Sequence, residues 1–343
     1  MSPSHGHILF INIPFCAKRC HFCRYEIYDS VELLKDYING LIDEMRLRTR
    51  VHRPKISVGY IGGGSPTLAL PFLDDLITEM KDWLDLALEE FTIEAMPGTF
   101  GIPEADHLRR LGIDRISLGI LSLNDQYLEE LGRQYNSEQA VISYHILREV
   151  GFKNIDVVLA LDDDRKLDLW QETIELVVAL SPEHITLWQI NPYSEFKECY
   201  LWADEYLTAK GYDHYEYSSF ARSGFRSRFQ IQRLLLNRQL GLGTGAETIL
   251  GDIRETNYDR IEEYLDAINS EELPVKRRER IDIDQFRLIS GLKSYLGVKK
   301  SLFPKSALKR YLDEGLFFED GDMVFPTKIG YLLADAVYNQ IKG

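Results

Sequence analysis

Short apolar, β-branched runs alternate with longer stretches of helical periodicity along most of the chain. The first run, GHILFINI, is followed after a loop by VELLKDYINGLIDEMRLRTR, whose apolar positions recur at three and four residues, as on one face of a helix. The same alternation predicts strands at ISVGYIGGGSPTL, EFTIEAMP and DRISLGILS, followed by helices at LPFLDDLITEMKDWLDL, IPEADHLRRLGI and NDQYLEELGRQY. SEQAVISYHILREVGF adds a helix before the strand NIDVVLAL, KLDLWQETIELVVAL follows it, and HITLWQINPYS reads as a sixth strand. Strand alternating with helix predicts right-handed crossovers and a parallel sheet buried on both faces. The periodicity leaves an open sheet and a partial barrel both available. In either, chemistry belongs at the C-terminal ends of the strands.

Beyond GLGTGAETI the alternation stops. From about residue 254 the pattern predicts charged helical structure, YDRIEEYLDAINSEE and then VKRRER, ending in SALKRYLDEGLFFEDGDMVFPTKIGYLLADAVYNQI. A helix, a hairpin around EDGD and a closing helix predict a small winged-helix-like module. The expected organisation is an α/β domain over residues 1–250 and a C-terminal accessory domain over 251–343. The run KRRER reads as a solvated face.

The length of 343 residues accommodates one large α/β domain with a small appendage, and 45% hydrophobic with 27% charged residues is an ordinary globular composition. A formal charge of −14 argues against a general nucleic-acid binder, which needs a positive surface. No run approaches the ~18 apolar residues of a membrane span, and MSPSHGH lacks the basic-then-apolar pattern of a secretory signal. No membrane partner and a cytoplasmic location are therefore expected.

Three of the four cysteines, Cys16, Cys20 and Cys23, fall in the loop after the first strand with the spacing C-x3-C-x2-C. Thiols so concentrated point away from a disulfide framework and toward metal or catalysis. Zinc would require a fourth ligand, either His21 or a distant residue. A three-thiolate iron–sulfur cube accounts for the odd count and leaves one iron open to a substrate or cofactor. Pro14 and Phe15 shape the approach to the loop, Phe22 is an apolar shield beside the last thiol, and Cys199 stands apart in sequence.

FINIPFCAKRCHFC resembles the signature of the radical S-adenosylmethionine (SAM) enzymes. More narrowly, it resembles the branch containing oxygen-independent coproporphyrinogen III oxidase, the heme chaperones related to it and the class C radical SAM methyltransferases. YIGGGSPTL is similar to that family's triple-glycine turn, and FTIEAMPGT to its third-strand glutamate. LGIDRISLGILSLND, the arginine of LEELGRQY, NIDVVLAL and GLGTGAETI also have counterparts, so the likeness covers roughly residues 8–250. The resemblance implies a partial (β/α)6 barrel and a [4Fe–4S] cluster on Cys16, Cys20 and Cys23, whose open iron chelates SAM. It also implies that Gly63 and Gly64 let the backbone approach SAM, that Glu94 accepts from its ammonium or ribose, and that Phe10 and Phe22 pack along its nucleoside. The cluster, by this resemblance, cleaves SAM reductively to a 5′-deoxyadenosyl radical that abstracts hydrogen, so no side-chain acid, base or nucleophile is expected to be catalytic. His145 and His184 read as ordinary partly buried residues. The implied partners are a small-molecule substrate and an electron donor such as flavodoxin or ferredoxin.

Several members of the branch bind a second SAM, and the matching positions here are Ser65, Arg133, Asp156 and the backbone near Asn191. Arg133 suits a carboxylate and Asp156 suits ribose hydroxyls, while the plainer reading is an Arg–Asp pair bracing neighbouring strand ends. Four positions depart from relatives. Leu121 stands where the family often has Gln, Tyr25 where the porphyrin oxidases usually carry another cysteine, and Phe229 with Gln230 where the heme chaperones have His-Asn. Arg222, Arg226, Arg228 and Arg233 read mostly as solvated. The activity expected is class C methyl or methylene transfer to an sp2 carbon, giving methylation or cyclopropanation of a small molecule. The alternatives are single-SAM oxidative decarboxylation or other hydrogen abstraction, and heme chaperone-like binding without turnover.

Overall fold

The computed structural model describes residues 6–191 and 195–342. They form two compact units, one of residues 6–156 with 237–281 and the other of the remainder. The first unit opens with β1 (His7–Ile13), α1 (Val31–Thr49), β2 (Lys55–Gly63), α2 (Leu70–Trp83) and β3 (Asp85–Ala95). It continues with α3 (Ile102–Arg110), β4 (Arg115–Leu121), α4 (Asp125–Glu130) and α5 (Ser137–Glu149). This is the alternation that the periodicity predicts. Two boundaries differ most. α4 stops at Glu130, short of the predicted Tyr135, and α2 stops at Trp83. Residues 85–89 join β3 because their side chains alternate between exposed and half-buried, the period of a strand.

β1, β2, β3 and β4 pair in that order and in parallel, with Phe10 opposite Tyr60, Ile61 opposite Ile93 and Glu94 opposite Ser117. β4 is buried at every position but Gly119, as expected of a parallel strand covered on both faces. Polar caps set the helix starts: Ser30 accepts from the Leu33 N–H at α1, and Asn136 and Gln139 satisfy one another's backbone donors at α5.

β5 (Ile155–Leu161) carries the chain past the unit boundary at Asp156. The second unit then holds α6 (Leu167–Leu180), β6 (His184–Gln189), α7 (Lys197–Ala209), β7 (Asp213–Glu216), β8 (Ser219–Ala221) and α8 (Arg228–Leu234). β8 pairs antiparallel with both β6 and β7. These two strands were not legible, since four and three residues are too few to display a period.

The chain returns to the first unit with β9 (Gln239–Leu242), β10 (Glu247–Leu250), β11 (Ile253–Asn257), α9 (Ile261–Asn269) and β12 (Val275–Arg280). β9 lies parallel to β1, and β10, β11 and β12 extend the sheet in antiparallel fashion. VKRRER is thus an edge strand and not a helix. Its cations face strand partners, Arg278 lying 3.6 Å from Glu255 and Glu279 3.6 Å from Arg254, so cross-strand pairing overrides helix propensity. Lys276, Arg277 and Arg278 are exposed, as a charged sheet edge should be. Residue 250 is the last of β10, opposite Ile253 in a hairpin that the chain crosses without leaving the unit.

A buried polar cluster ties α1 to this extension. Glu44 accepts from Arg48 (2.7 Å), Asn257 Nδ2 (2.8 Å), the Gly243 N–H (2.8 Å) and the Tyr264 hydroxyl (2.8 Å), so both carboxylate oxygens are filled. Arg48 also reaches Glu255 at 3.1 Å and Asn257 Oδ1 at 2.9 Å. Tyr37 continues the chain of contacts by donating to the Asn12 carbonyl at 2.8 Å and accepting from the Thr244 N–H at 2.8 Å. The last turn of β1 is thereby held from behind.

The second unit closes with α10 (Ile283–Leu292), β13 (Val298–Lys299), α11 (Lys305–Asp313), β14 (Phe317–Asp320), β15 (Met323–Pro326), α12 (Lys328–Leu332) and α13 (Ala334–Lys342). The expected hairpin is present. It turns at Gly321, whose φ of +57° favours glycine, and Leu292, Tyr311, Phe317, Val324 and Val337 share a core around it.

Candidate functional site

β1 ends at Ile13, and the cysteine loop begins at once. The loop is closed at its base: Cys16 N–H donates to the Tyr28 carbonyl (3.0 Å) and Tyr28 N–H to the Pro14 carbonyl (2.9 Å), a parallel bridge between Phe15 and Tyr28. Phe15 is buried, its ring 5.5 Å from Tyr37 and 6.0 Å from Tyr28. Within the loop Cys16, Cys20, Phe22 and Cys23 are half-buried, whereas Lys18, Arg19, His21 and Arg24 are exposed. Cys23 N–H donates to the Cys20 carbonyl at 3.1 Å, bringing those two residues into one tight turn.

The glycine turn at the end of β2 lies against this loop. Gly64 N–H donates to the Ile13 carbonyl (2.9 Å) and Ser65 N–H to the Phe15 carbonyl (2.7 Å). A Cβ on Gly64 would stand 2.9 Å from Cys16 Sγ and 2.5 Å from the Phe15 carbonyl oxygen, closer than packed atoms allow. Gly63 has φ +124°, and a side chain there would press into Asn12 and into the Ile13 carbonyl at 2.8 Å. Glu94, near the end of β3, accepts from the Tyr60 hydroxyl (2.7 Å) and from the Gly63 N–H (3.1 Å). Burial raises its carboxyl above the ordinary range, against the pull of those two donors. Phe10 on β1 faces Tyr60, ring centres 6.1 Å apart.

Arg133 follows α4 and is held by three groups. Its Nη1 donates to Cys20 Sγ (3.1 Å), Nη2 to the Gly119 carbonyl (2.9 Å) and Nε to the Tyr135 hydroxyl (3.0 Å). Asp156 is buried and accepts from Ser117 Oγ (2.8 Å), with Arg115 at 3.4 Å. The expected brace between Arg133 and Asp156 is not what forms: Asp156 pairs with Arg115, while Arg133 donates to Cys20, Gly119 and Tyr135. Ser65 is buried, its hydroxyl 3.3 Å from that of Thr67. Leu121 is fully buried with φ +61°, a conformation rare for a branched residue, at the point where β4 ends. Asn191 belongs to the second unit, where its carbonyl lies 3.4 Å from Gln189 Nε2. Cys199 is buried in α7 of that unit, 3.6 Å from the Asp163 carbonyl, and burial pushes its thiol up to about 12. His184 is buried too, its Nε2 2.8 Å from the Tyr215 hydroxyl.

Sequence reasoning missed Tyr60, Tyr135 and Asn12. Alternation along β2 would have found Tyr60, since it shares a strand face with Gly62, whose added Cβ would meet Glu94 Oε1 at 2.9 Å. Tyr135 and Asn12 act through backbone carbonyls, which no side-chain pattern reveals.

The donor set fits an iron–sulfur cluster. Three thiols share one loop, and the glycine turn leaves open the volume beside Cys16 that a Cβ would fill. Burial, reinforced by the neighbouring thiols, pushes Cys16 up to about 12, so binding of a metal group must displace its proton. Among the described residues no three His, Cys, Asp or Glu side chains converge on a single-ion site. His21, the candidate fourth ligand for zinc, instead directs Nδ1 to the Glu130 carbonyl at 2.9 Å.

Comparison with known proteins agrees with this geometry. The Radical SAM superfamily model matches residues 11–177. The heme chaperone HemW of Bacillus subtilis is 27% identical, over 97% of this chain and 98% of its own length. The heme chaperone HemW of Lactococcus lactis is 28% identical, over 96% of each. Among solved structures, coproporphyrinogen III oxidase (HemN) from Escherichia coli superposes with a TM-score of 0.85 at 21% identity, covering 97% of this chain and 89% of that one. The chain is similar to the radical SAM superfamily over residues 11–177, and over nearly its whole length to proteins named heme chaperone. Its fold is the α/β partial barrel of that family with a small C-terminal module. Among the described residues no helix is long and apolar enough to cross a membrane.

Proposed function

We propose that this protein is a heme-handling iron–sulfur protein that binds SAM, of the heme-chaperone kind. The observation that carries the reading is the match to proteins named heme chaperone over nearly the whole of both chains, C-terminal module included. The names of these relatives support heme handling ahead of the methyl or methylene transfer expected from the sequence. Cys16, Cys20 and Cys23 would hold the [4Fe–4S] cluster, and Gly63, Gly64, Glu94, Phe10 and Phe22 would line the SAM site beside it. When bound, that pair supplies one-electron reductive cleavage of the SAM sulfonium. Glu94 would offer a carboxylate to the SAM ammonium or ribose, while the glycine turn admits the cofactor to within backbone contact. Phe10 and Phe22 would exclude water from the nucleoside. An electron donor of the flavodoxin or ferredoxin kind would supply the electron.

The donors of Arg133 are already engaged by Cys20, Gly119 and Tyr135, and Asp156 is engaged by Ser117 and Arg115. A second SAM would compete with these contacts, which supports one SAM over two. Anaerobically reconstituted protein should bind heme one-to-one with a ligand-dependent spectrum. Featureless, unsaturable heme uptake would overturn the chaperone reading.

A second reading, a single-SAM enzyme acting by hydrogen abstraction, is favoured by one observation. Phe229 is buried in α8 and, by the sequence resemblance, stands where the heme chaperones have histidine. Turnover of SAM to 5′-deoxyadenosine coupled to a changed small-molecule product, without specific heme binding, would select it.

A further inference from the structure

The segment that follows α4 grips the cysteine loop at several points. His21 N–H donates to the Leu131 carbonyl at 3.1 Å, and His21 Nδ1 donates to the Glu130 carbonyl at 2.9 Å. Gly132, at φ +75°, lies flat under the same imidazole: a Cβ there would stand 3.0 Å from the ring. One residue further on, Arg133 places Nη1 3.1 Å from Cys20 Sγ. That guanidinium is not free to wander. Nη2 is held by the Gly119 carbonyl at 2.9 Å and Nε by the Tyr135 hydroxyl at 3.0 Å, while Tyr135 shares its proton between the carbonyls of Gly119 (2.6 Å) and Ile120 (2.8 Å). Its carbon also lies 5.1 Å from the centre of the Tyr135 ring. The end of β4 thus fixes Tyr135, Tyr135 and Gly119 fix Arg133, and Arg133 fixes Cys20.

We infer that Arg133 is a positioning residue for the cluster: it orients Cys20 and keeps a positive charge and a hydrogen-bond donor against that one sulfur. The inference rests on the cluster reading given above. A rigid guanidinium differs from a lysine here, because three of its donors are used at once in one plane. Positive charge and hydrogen bonding at a ligand sulfur favour the more reduced, more negative state of an iron–sulfur centre, so Arg133 raises the reduction potential. The hydrogen bond distinguishes Cys20 from Cys16, on which the same guanidinium acts through its charge.

The test is an anaerobic redox titration of the reconstituted full chain without SAM, followed by electron paramagnetic resonance, with iron content and thermal unfolding measured alongside. Arg133→Met should move the midpoint to more negative potential. Arg133→Lys should recover part of the shift, and Tyr135→Phe should shift it less and in the same direction. The SAM-free condition matters: an arginine that acts only on a SAM carboxylate would leave this midpoint untouched and weaken SAM binding alone. Equal midpoints in wild type, Arg133→Met and Tyr135→Phe, with full iron loading, overturn the inference and leave the cluster reading standing. If Arg133→Met loads no iron, the Arg133→Lys and Tyr135→Phe midpoints decide in the same way. A wild-type chain that takes up no iron overturns the cluster reading and this inference together.

Discussion

Gly63 donates its backbone N–H to Glu94 Oε2 at 3.1 Å, so the glycine turn and the one partly buried carboxyl beside it are a single hydrogen-bonded unit. Tyr60 fills the other oxygen at 2.7 Å. Since burial holds the Glu94 carboxyl above its ordinary range, it is ionised over a narrower span of pH than a surface glutamate. A cationic ammonium selects the ionised form. SAM affinity of the wild type should therefore fall as pH is lowered, beginning at a higher pH than for an ordinary surface glutamate. Glu94→Gln should bind SAM about 1.5–3 kcal/mol more weakly at alkaline pH, the range for a hydrogen bond to a charged group, and should show a flat pH profile. Equilibrium dialysis on reconstituted protein measures both, and unchanged affinity in the variant removes Glu94 from the site.

Iron loading separates the four thiols. Reconstituted wild type should hold about four irons per chain, the content of one [4Fe–4S] cube. Cys16→Ala, Cys20→Ala and Cys23→Ala should each abolish the cluster, and Cys199→Ala should keep it, because Cys199 is buried in α7 against Asp163. Gly64→Ala gives an independent check. Its methyl group must push against Cys16 and Phe15, which should cost about 1–3 kcal/mol in the cluster-free chain by urea unfolding, and lower iron uptake as well. Tight zinc without iron in the wild type would refute the cluster.

Arg48→Met tests what holds β1 from behind. The change strands Glu44, which is fully buried, without its cation, and a broken buried pair costs about 3–5 kcal/mol. Urea unfolding should show that loss. A loss under about 1 kcal/mol, the range of surface pairs, would mean that Tyr264, Asn257 and Gly243 alone satisfy the carboxylate.

His7 sets a pH limit on the first unit. Burial lowers its pKa below the ordinary value of 6.5, with the charges of Arg238 and His52 acting the same way, and its Nδ1 is buried without a hydrogen-bond partner. The unfolded chain takes up a proton near the ordinary histidine value, while the native chain refuses it until lower pH. Stability is thus fully present above about pH 6.5 and declines as pH falls toward the depressed native value. His7→Asn should flatten that part of the curve in thermal unfolding followed across pH. An identical slope in the variant would place the acid sensitivity elsewhere.

Most of the scaffold of the first unit was legible because its strands are long enough to display a period and its helices carry amphipathic faces. The cysteine loop was legible for a different reason: thiols are rare, and their spacing is chemistry. What stayed hidden depends on pairing at a distance. VKRRER has a helix-compatible composition and becomes a strand only because Glu255 and its neighbours on β11 face it. The family resemblance implies a carboxylate ligand at Arg133. That its donors meet a cysteine sulfur, a carbonyl and a phenol follows from the turn at Gly132, which no side-chain pattern encodes. Leu121 was noticed as the wrong residue for a polar contact, but its left-handed backbone came into view only with the end of β4.

The bridge between Phe15 and Tyr28 gives the cysteine loop the construction of a purse with its own drawstring. The neck is tied by main-chain atoms and a buried ring, neither of which touches the thiols' contents. Because that knot is made of backbone hydrogen bonds and not of thiols, losing the cluster should empty the purse without untying it.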